Sequence, residues 1–216
     1  MKKSTSVLIT LLSVVIALIS LRYFVAPDTV PLLKLKSPGL YRTALLIHAG
    51  AALVALAVGP LQFSVRLRQR SPLAHRRLGY VYFAGVFIGG GVGLFSATGA
   101  EGGLSSRTGF FLLGLCWVAS AWIALSAIRR GDVAAHRDWM IRNFALTFAA
   151  VTLRLRLPTL MAAGASFHDA YRTVAWLCWV PNAIVGEMIL RGRTSTGRPQ
   201  ERTREPIENR STRSQP

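Results

Sequence analysis

Two histidines carry the chemistry this chain could do. His75 and His136 each follow an alanine and precede an arginine, in Ala74-His75-Arg76 and Ala135-His136-Arg137. A pair of imidazoles can ligate a transition metal or the iron of a haem, and arginines beside them offer forked donors that suit haem propionates. On that reading His75 and His136 are the metal ligands and Arg76 and Arg137 the propionate partners. The cofactor is then a b-type haem, and a quinone or another redox protein is the partner. The same His-Arg pairs also suit an anchor at a membrane surface, where arginine reaches lipid phosphate over an apolar stem. His48 is a third candidate cofactor-binding residue, because it stands inside an apolar run and a polar residue within a membrane is a functional candidate by default. Arg154 and Arg156 are expected at a similar depth, whereas His168 falls in a loop. Of the motifs of soluble catalysis, the chain has no Gly-rich phosphate loop, no C-x-x-C, no H-E-x-x-H and no G-x-S-x-G.

The surroundings of the two histidines repeat. Ala74 to Phe87 can be laid over Ala135 to Phe148 without a gap, with Ala, His, Arg, Phe, Ala and Phe coinciding. Same-direction repeats of this kind imply a duplicated helical hairpin with a pseudo-twofold axis along the membrane normal. Such an axis would bring His75 and His136 to one level of a four-helix bundle. A shared iron, bonded at about 2 Å to each ring, needs the two ring nitrogens to face inward roughly 4 Å apart.

Membrane helices are the elements that must position these groups. Of the 216 residues, 51% are hydrophobic and 16% charged, which leans away from an ordinary soluble domain. A span of roughly 17 to 25 apolar residues crosses a hydrocarbon core about 30 Å thick. Six such runs are present: Val7 to Val25, Thr43 to Phe63, Gly79 to Thr98, Gly109 to Ile128, Met140 to Leu157 and Tyr171 to Leu190. The fold class expected is therefore an all-α polytopic bundle of about six spans, spans 2 to 5 forming the pseudo-duplicated unit. Residues 1–25 make an N-terminal anchor, left uncleaved because Arg22 interrupts the region of cleavage and no A-x-A site follows. Residues 43–190 form a five-span core, and residues 191–216 a disordered basic tail too poor in apolar residues to offset its ordering entropy.

Lys and Arg outnumber Asp and Glu by 26 to 9. In a soluble chain that excess would point to nucleic acid, but here the charges avoid the apolar runs and gather between them, as in an oriented membrane protein. With the N-terminus inside, eighteen of the basic residues are cytoplasmic and five external, namely Lys34, Lys36, Arg42, Arg107 and Arg172. Both termini are therefore expected in the cytoplasm, with the lipid bilayer rather than nucleic acid as partner. Cys116 and Cys178 both lie in apolar runs and read as small hydrophobes.

Further along the spans, Gly85, Gly89, Gly93 and Ala97 form a small-residue stripe that permits close helix approach or leaves room for a flat cofactor. Glu187 is expected to pair with Arg142. His48, Arg154, Arg156 and Glu187 together would line an aqueous path if the protein were a small transporter or channel. Pro181-Asn182 in span 6 is the one central helix breaker such a site would use. A third reading is a membrane scaffold without chemistry.

Several segments taken together resemble a known family. They are His48-Ala49-Gly50, Gly59-Pro60-Leu61-Gln62-Phe63, His75-Arg76 with Gly79-Tyr80, and His136-Arg137-Asp138-Trp139-Met140-Ile141-Arg142-Asn143 with Ala145-Leu146-Thr147. The chain resembles, from about Thr43 to Leu190, the bacterial predicted membrane proteins grouped as domain of unknown function twenty-three-oh-six. That resemblance implies a polytopic protein of the bacterial inner membrane and brings no activity with it. The histidines are also somewhat similar in arrangement to those of b-type dihaem membrane cytochromes, but span 4 lacks the histidine that pattern needs.

Overall fold

A computed structural model describes residues 3–29 and 39–196. Among them six helices are long and apolar enough to cross a membrane: span 1 Ser4–Val25, span 2 Leu40–Gln62, span 3 Pro72–Thr98, span 4 Leu104–Arg129, span 5 Val133–Ala162 and span 6 Phe167–Gly192. The final helix runs on through Thr196. The basic tail expected from residue 191 therefore begins as helix, and the rest of it lies outside the described residues.

Helix starts follow local chemistry. Ser64 caps a short basic helix, Val65–Arg70, by accepting from the Leu67 amide. Span 3 then begins at Pro72, whose missing N–H costs nothing in a first turn. Gly131, at a φ of +79°, turns the chain between spans 4 and 5 in a conformation that glycine adopts without strain. Asp132 caps span 5 by accepting from the Ala135 amide at 2.9 Å. Both spans thus begin about two turns before the apolar runs that announced them.

Spans 2 and 3 pack most closely, and the glycine stripe shows why. A Cβ on Gly85 would lie 2.8 Å from the carbonyl oxygen of Ala51, and one on Gly89 would lie 3.2 Å from the Ala51 side chain. Backbone-to-backbone approach of this kind is the usual contribution of small residues in membranes. Gly59 of span 2 leaves a notch for the ring of Phe144 from span 5, which approaches closely enough that any side chain there would displace it.

A hydrogen-bonded network ties spans 3, 4 and 5 together at mid-bundle. The Tyr82 hydroxyl donates to Asn143 Oδ1 at 2.6 Å and lies 2.8 Å from the Thr147 hydroxyl. Trp117 Nε1 donates to the same Thr147 oxygen at 2.8 Å. Asn143 Nδ2 donates to the Trp117 carbonyl and to Ser120 Oγ. Around this network pack Phe83, Val86, Ala121, Ala124, Met140 and Phe144. In an apolar interior an unpaired polar group is costly, so a network this complete fixes the rotation of all three helices.

The network also exposes the repeat. Tyr82 and Asn143 are equivalent positions of the duplicated segments, separated by the same 61 residues as His75 and His136. Equivalent residues that touch each other mark a twofold axis between their helices. The Tyr82–Asn143 contact is what the expected pseudo-twofold axis between spans 3 and 5 would produce.

Spans 5 and 6 are each broken near their middle. Span 5 changes register at Phe148, between Val133–Thr147 and Ala149–Ala162. Span 6 breaks at Cys178 and Trp179, where Pro181 has no N–H for the Leu177 carbonyl. The sequence announces the second break and not the first. The two breaks are adjacent, and span 5 repairs span 6. Arg156 donates to the Leu177 carbonyl at 2.5 Å, Thr152 Oγ1 donates to the Cys178 carbonyl at 2.5 Å, and Asn182 Nδ2 donates to Thr152. Carbonyls freed within a membrane need such partners.

Candidate functional site

At the basic end, His75 and His136 open the equivalent helices of the repeat. Each lies seven residues before its partner in the Tyr82–Asn143 pair, close to two full helical turns, so both imidazoles stand on the faces that turn toward the pseudo-axis. The structure brings them within electrostatic range of each other. His136 Nδ1 lies 2.9 Å from the Ala124 carbonyl of span 4, which has no proton to give, so the ring donates there and leaves Nε2 free. His75 Nδ1 is buried without a hydrogen-bond partner. Arg76 and Arg137 are exposed beside them. Deeper into the bundle the packed core around Tyr82 begins, so any group held by this pair would sit at the basic end of that core.

Nearby, Arg142 holds Glu187 of span 6 in a bidentate pair, with Nε at 2.5 Å and a terminal nitrogen at 3.1 Å from the two carboxylate oxygens. Its guanidinium also lies 4.7 Å from the Trp139 ring centroid. The expected pairing is thus found, and it fastens span 6 to span 5 rather than lining a path.

Toward the opposite end the helices separate around a cavity of about 490 Å³, within the size range of small-molecule sites. His48 and Arg154 both line it, with Tyr23 of span 1, Trp117 and Thr147 at the network and Cys178 at the break in span 6. Small residues make the room: Ala49, Ala52, Gly90, Gly93, Gly114 and Ala149 are all in its walls. The glycine stripe therefore gives close packing, against span 2 backbone at Gly85 and Gly89 and against the His48 ring at Gly93.

His48 is firmly placed. Its Nδ1 lies 2.7 Å from the Gly89 carbonyl, and a Cβ on Gly93 would come within 2.7 Å of that nitrogen. The edge of Trp117 faces the ring with centroids 6.5 Å apart. Arg154 donates to the Ala150 carbonyl at 3.0 Å and lies 5.7 Å above the Tyr23 ring. Among the described residues no carboxylate lines the cavity. An arginine so placed, with donors to spare and no anion beside it, is an anion or acceptor site in waiting.

Arg156 turns away to span 6, and His168 is exposed and outside the cavity. Neither joins His48, and His48 does not meet the pair at the basic end. Sequence reasoning did not single out Tyr23 or Trp117. Trp117 carried no signal beyond its apolar setting, and Tyr23 stands in an anchor helix with nothing to link it to Arg154.

Residues 45–190 match the family described as Predicted membrane protein (DUF2306). The chain belongs to the DUF2306 family. The segments quoted for the resemblance now have structural roles. In the DUF2306 region, Asn143 and Thr147 build the polar network, Gly59 seats Phe144, and His48 faces the cavity. The DUF2306 match begins beyond span 1, so Tyr23 comes from outside it. No curated protein and no solved structure matches the chain.

Proposed function

We propose that this protein is a membrane-embedded binding protein for a small amphiphile, which enters the cavity beside His48 and Arg154. The observation that carries this reading is a largely apolar cavity, about 490 Å³ in volume, that is lined by two arginines, Arg22 and Arg154, and, among the described residues, by no carboxylate. An apolar body would replace lipid or water against Leu53, Leu113 and Leu153, and an oxygen-bearing head would accept from Arg154. A charge-assisted hydrogen bond there is worth about 1.5–3 kcal/mol. The basic residues, eighteen on one side and five on the other, support an orientation with both termini in the cytoplasm of a bacterium and the cavity toward the outer face of the inner membrane.

The test is binding of nitroxide-labelled stearate to protein in nanodiscs, read by quenching of tryptophan fluorescence, since Trp117 lines the cavity. Saturable quenching is expected, weakened about tenfold or more in Arg154→Ala and restored in part by Arg154→Lys. Equal binding by the wild type and Arg154→Ala would overturn the reading.

A second reading rests on a different observation, the electrostatic proximity of His75 and His136 with His136 Nε2 left free. It is a b-type haem carried by the two imidazoles, with Arg76 and Arg137 beside its propionates, passing electrons to or from a quinone or another redox partner. The free ring nitrogens and the tautomer set by the Ala124 carbonyl support it, because metal-bound histidines commonly donate their other nitrogen to a backbone carbonyl.

A further inference from the structure

Among the polar groups that line the cavity, with Arg22, Tyr23, Tyr41, Ser96, Thr147 and Tyr171, two are of opposite and fixed hydrogen-bonding sense, His48 and Arg154. His48 Nδ1 faces the Gly89 carbonyl at 2.7 Å. A carbonyl only accepts, so the imidazole proton sits on Nδ1, and in the neutral ring Nε2 carries a lone pair. Gly93 allows no side chain between the ring and span 3, and Trp117 stands against it, so the tautomer and the ring orientation are both set by the fold. Arg154, on the wall formed by span 5, can only donate. The two are within electrostatic range across the cavity. Leu45, Leu53, Gly90, Leu113 and Gly114 supply apolar and glycine wall to the same cavity.

A molecule complementary to this arrangement has a hydroxyl donor at one edge, an acceptor oxygen at another and a flat apolar body between. We infer that the cavity takes a hydroquinone with an apolar tail, its ring hydroxyl donating to His48 Nε2 and its second ring oxygen accepting from Arg154. This rests on the reading of the cavity as an amphiphile site and adds the class of ligand. The chemistry also sets a preference between redox forms. Both oxygens of a quinone are acceptors only, so a quinone satisfies Arg154 and sets a lone pair against the lone pair of His48. A site built around a hydrogen bond rejects the analogue that lacks the partner atom, because its own polar group is left unpaired. The reduced form therefore binds more tightly, with no electron transfer required.

The probes are a decyl-tailed benzohydroquinone, kept reduced under anaerobic conditions, and the matching quinone, each titrated into nanodisc-embedded protein with tryptophan fluorescence as readout. The hydroquinone is expected to bind about tenfold more tightly. His48→Gln, whose amide offers a donor as well as an acceptor, should bring the two affinities within about twofold. Gly93→Ala, which pushes the ring off the Gly89 carbonyl and frees the tautomer, should act in the same direction. Size-exclusion profile and thermal melting establish that each variant is folded. Equal affinities for both forms in the wild type, with stearate still bound, would overturn the hydroquinone assignment and leave the amphiphile site standing. Failure of hydroquinone, quinone and stearate alike would remove both.

Discussion

His75 and His136 are each followed by an arginine, and they differ in what their rings have already done. The Ala124 carbonyl takes the Nδ1 proton of His136 at 2.9 Å, while His75 Nδ1 is buried with no partner. A buried imidazole nitrogen left unsatisfied costs about 1–3 kcal/mol, an expense that metal ligation would remove. If the pair carries a haem, detergent-purified protein from haem-replete cells shows a Soret band that the His75→Ala, His136→Ala double variant lacks. Colourless protein would retire the haem reading and leave each His-Arg pair as an anchor at lipid-phosphate depth. The cavity residues do not share in this outcome, since His48 stands near the other end of the bundle.

Among the helices, the broken pair of spans 5 and 6 carries the sharpest mechanical consequence. Pro181 withholds a donor from the Leu177 carbonyl, and Arg156 supplies one from the neighbouring span. Removing Arg156 strands that carbonyl, so Arg156→Leu should cost about 1–2 kcal/mol in thermal or denaturant unfolding in detergent. Pro181→Ala returns the backbone donor. In that background the Arg156→Leu penalty should shrink by about 1 kcal/mol, a coupling that a double-mutant cycle reads directly. Additive losses from the two substitutions would show that the guanidinium serves something other than the broken helix. The same break places Cys178 in the cavity wall, so straightening span 6 should also alter stearate binding.

For the molecule as a whole, crossing by all six helices would return both ends to one side, and the excess of basic residues predicts that this side is the cytoplasm. Alkaline phosphatase fused after Arg193 should be inactive, and fused between Glu101 and Arg107 it should be active. The opposite pattern would invert the protein and with it the face from which the cavity fills. The pseudo-twofold axis also divides labour along the normal. Equivalent residues meet at Tyr82–Asn143, and the match is lost toward the cavity, where span 4 has Gly109 at the position equivalent to His48.

Hydropathy, charge and turn chemistry are local properties that add along one helix, which is why the six spans, the basic asymmetry and the family were legible in the order of residues alone. The repeat was legible too, because duplication leaves its trace in sequence. The Glu187–Arg142 pair followed from depth and charge. Helix starts were misjudged by about two turns at spans 3 and 5, since a helix continues through the interface wherever Pro72 or Asp132 lets it begin, while hydropathy reports only the part in hydrocarbon. Lateral neighbours were beyond the sequence. That Tyr23 approaches Arg154, that Arg156 turns to Leu177 while Arg154 turns to the cavity, and that Thr147 joins Trp117 to Tyr82 all depend on how each helix is rotated about its own axis. That rotation is fixed by close packing at Gly59, Gly85 and Gly89 and by the need to pair every polar group away from water, conditions that exist only once the helices are together.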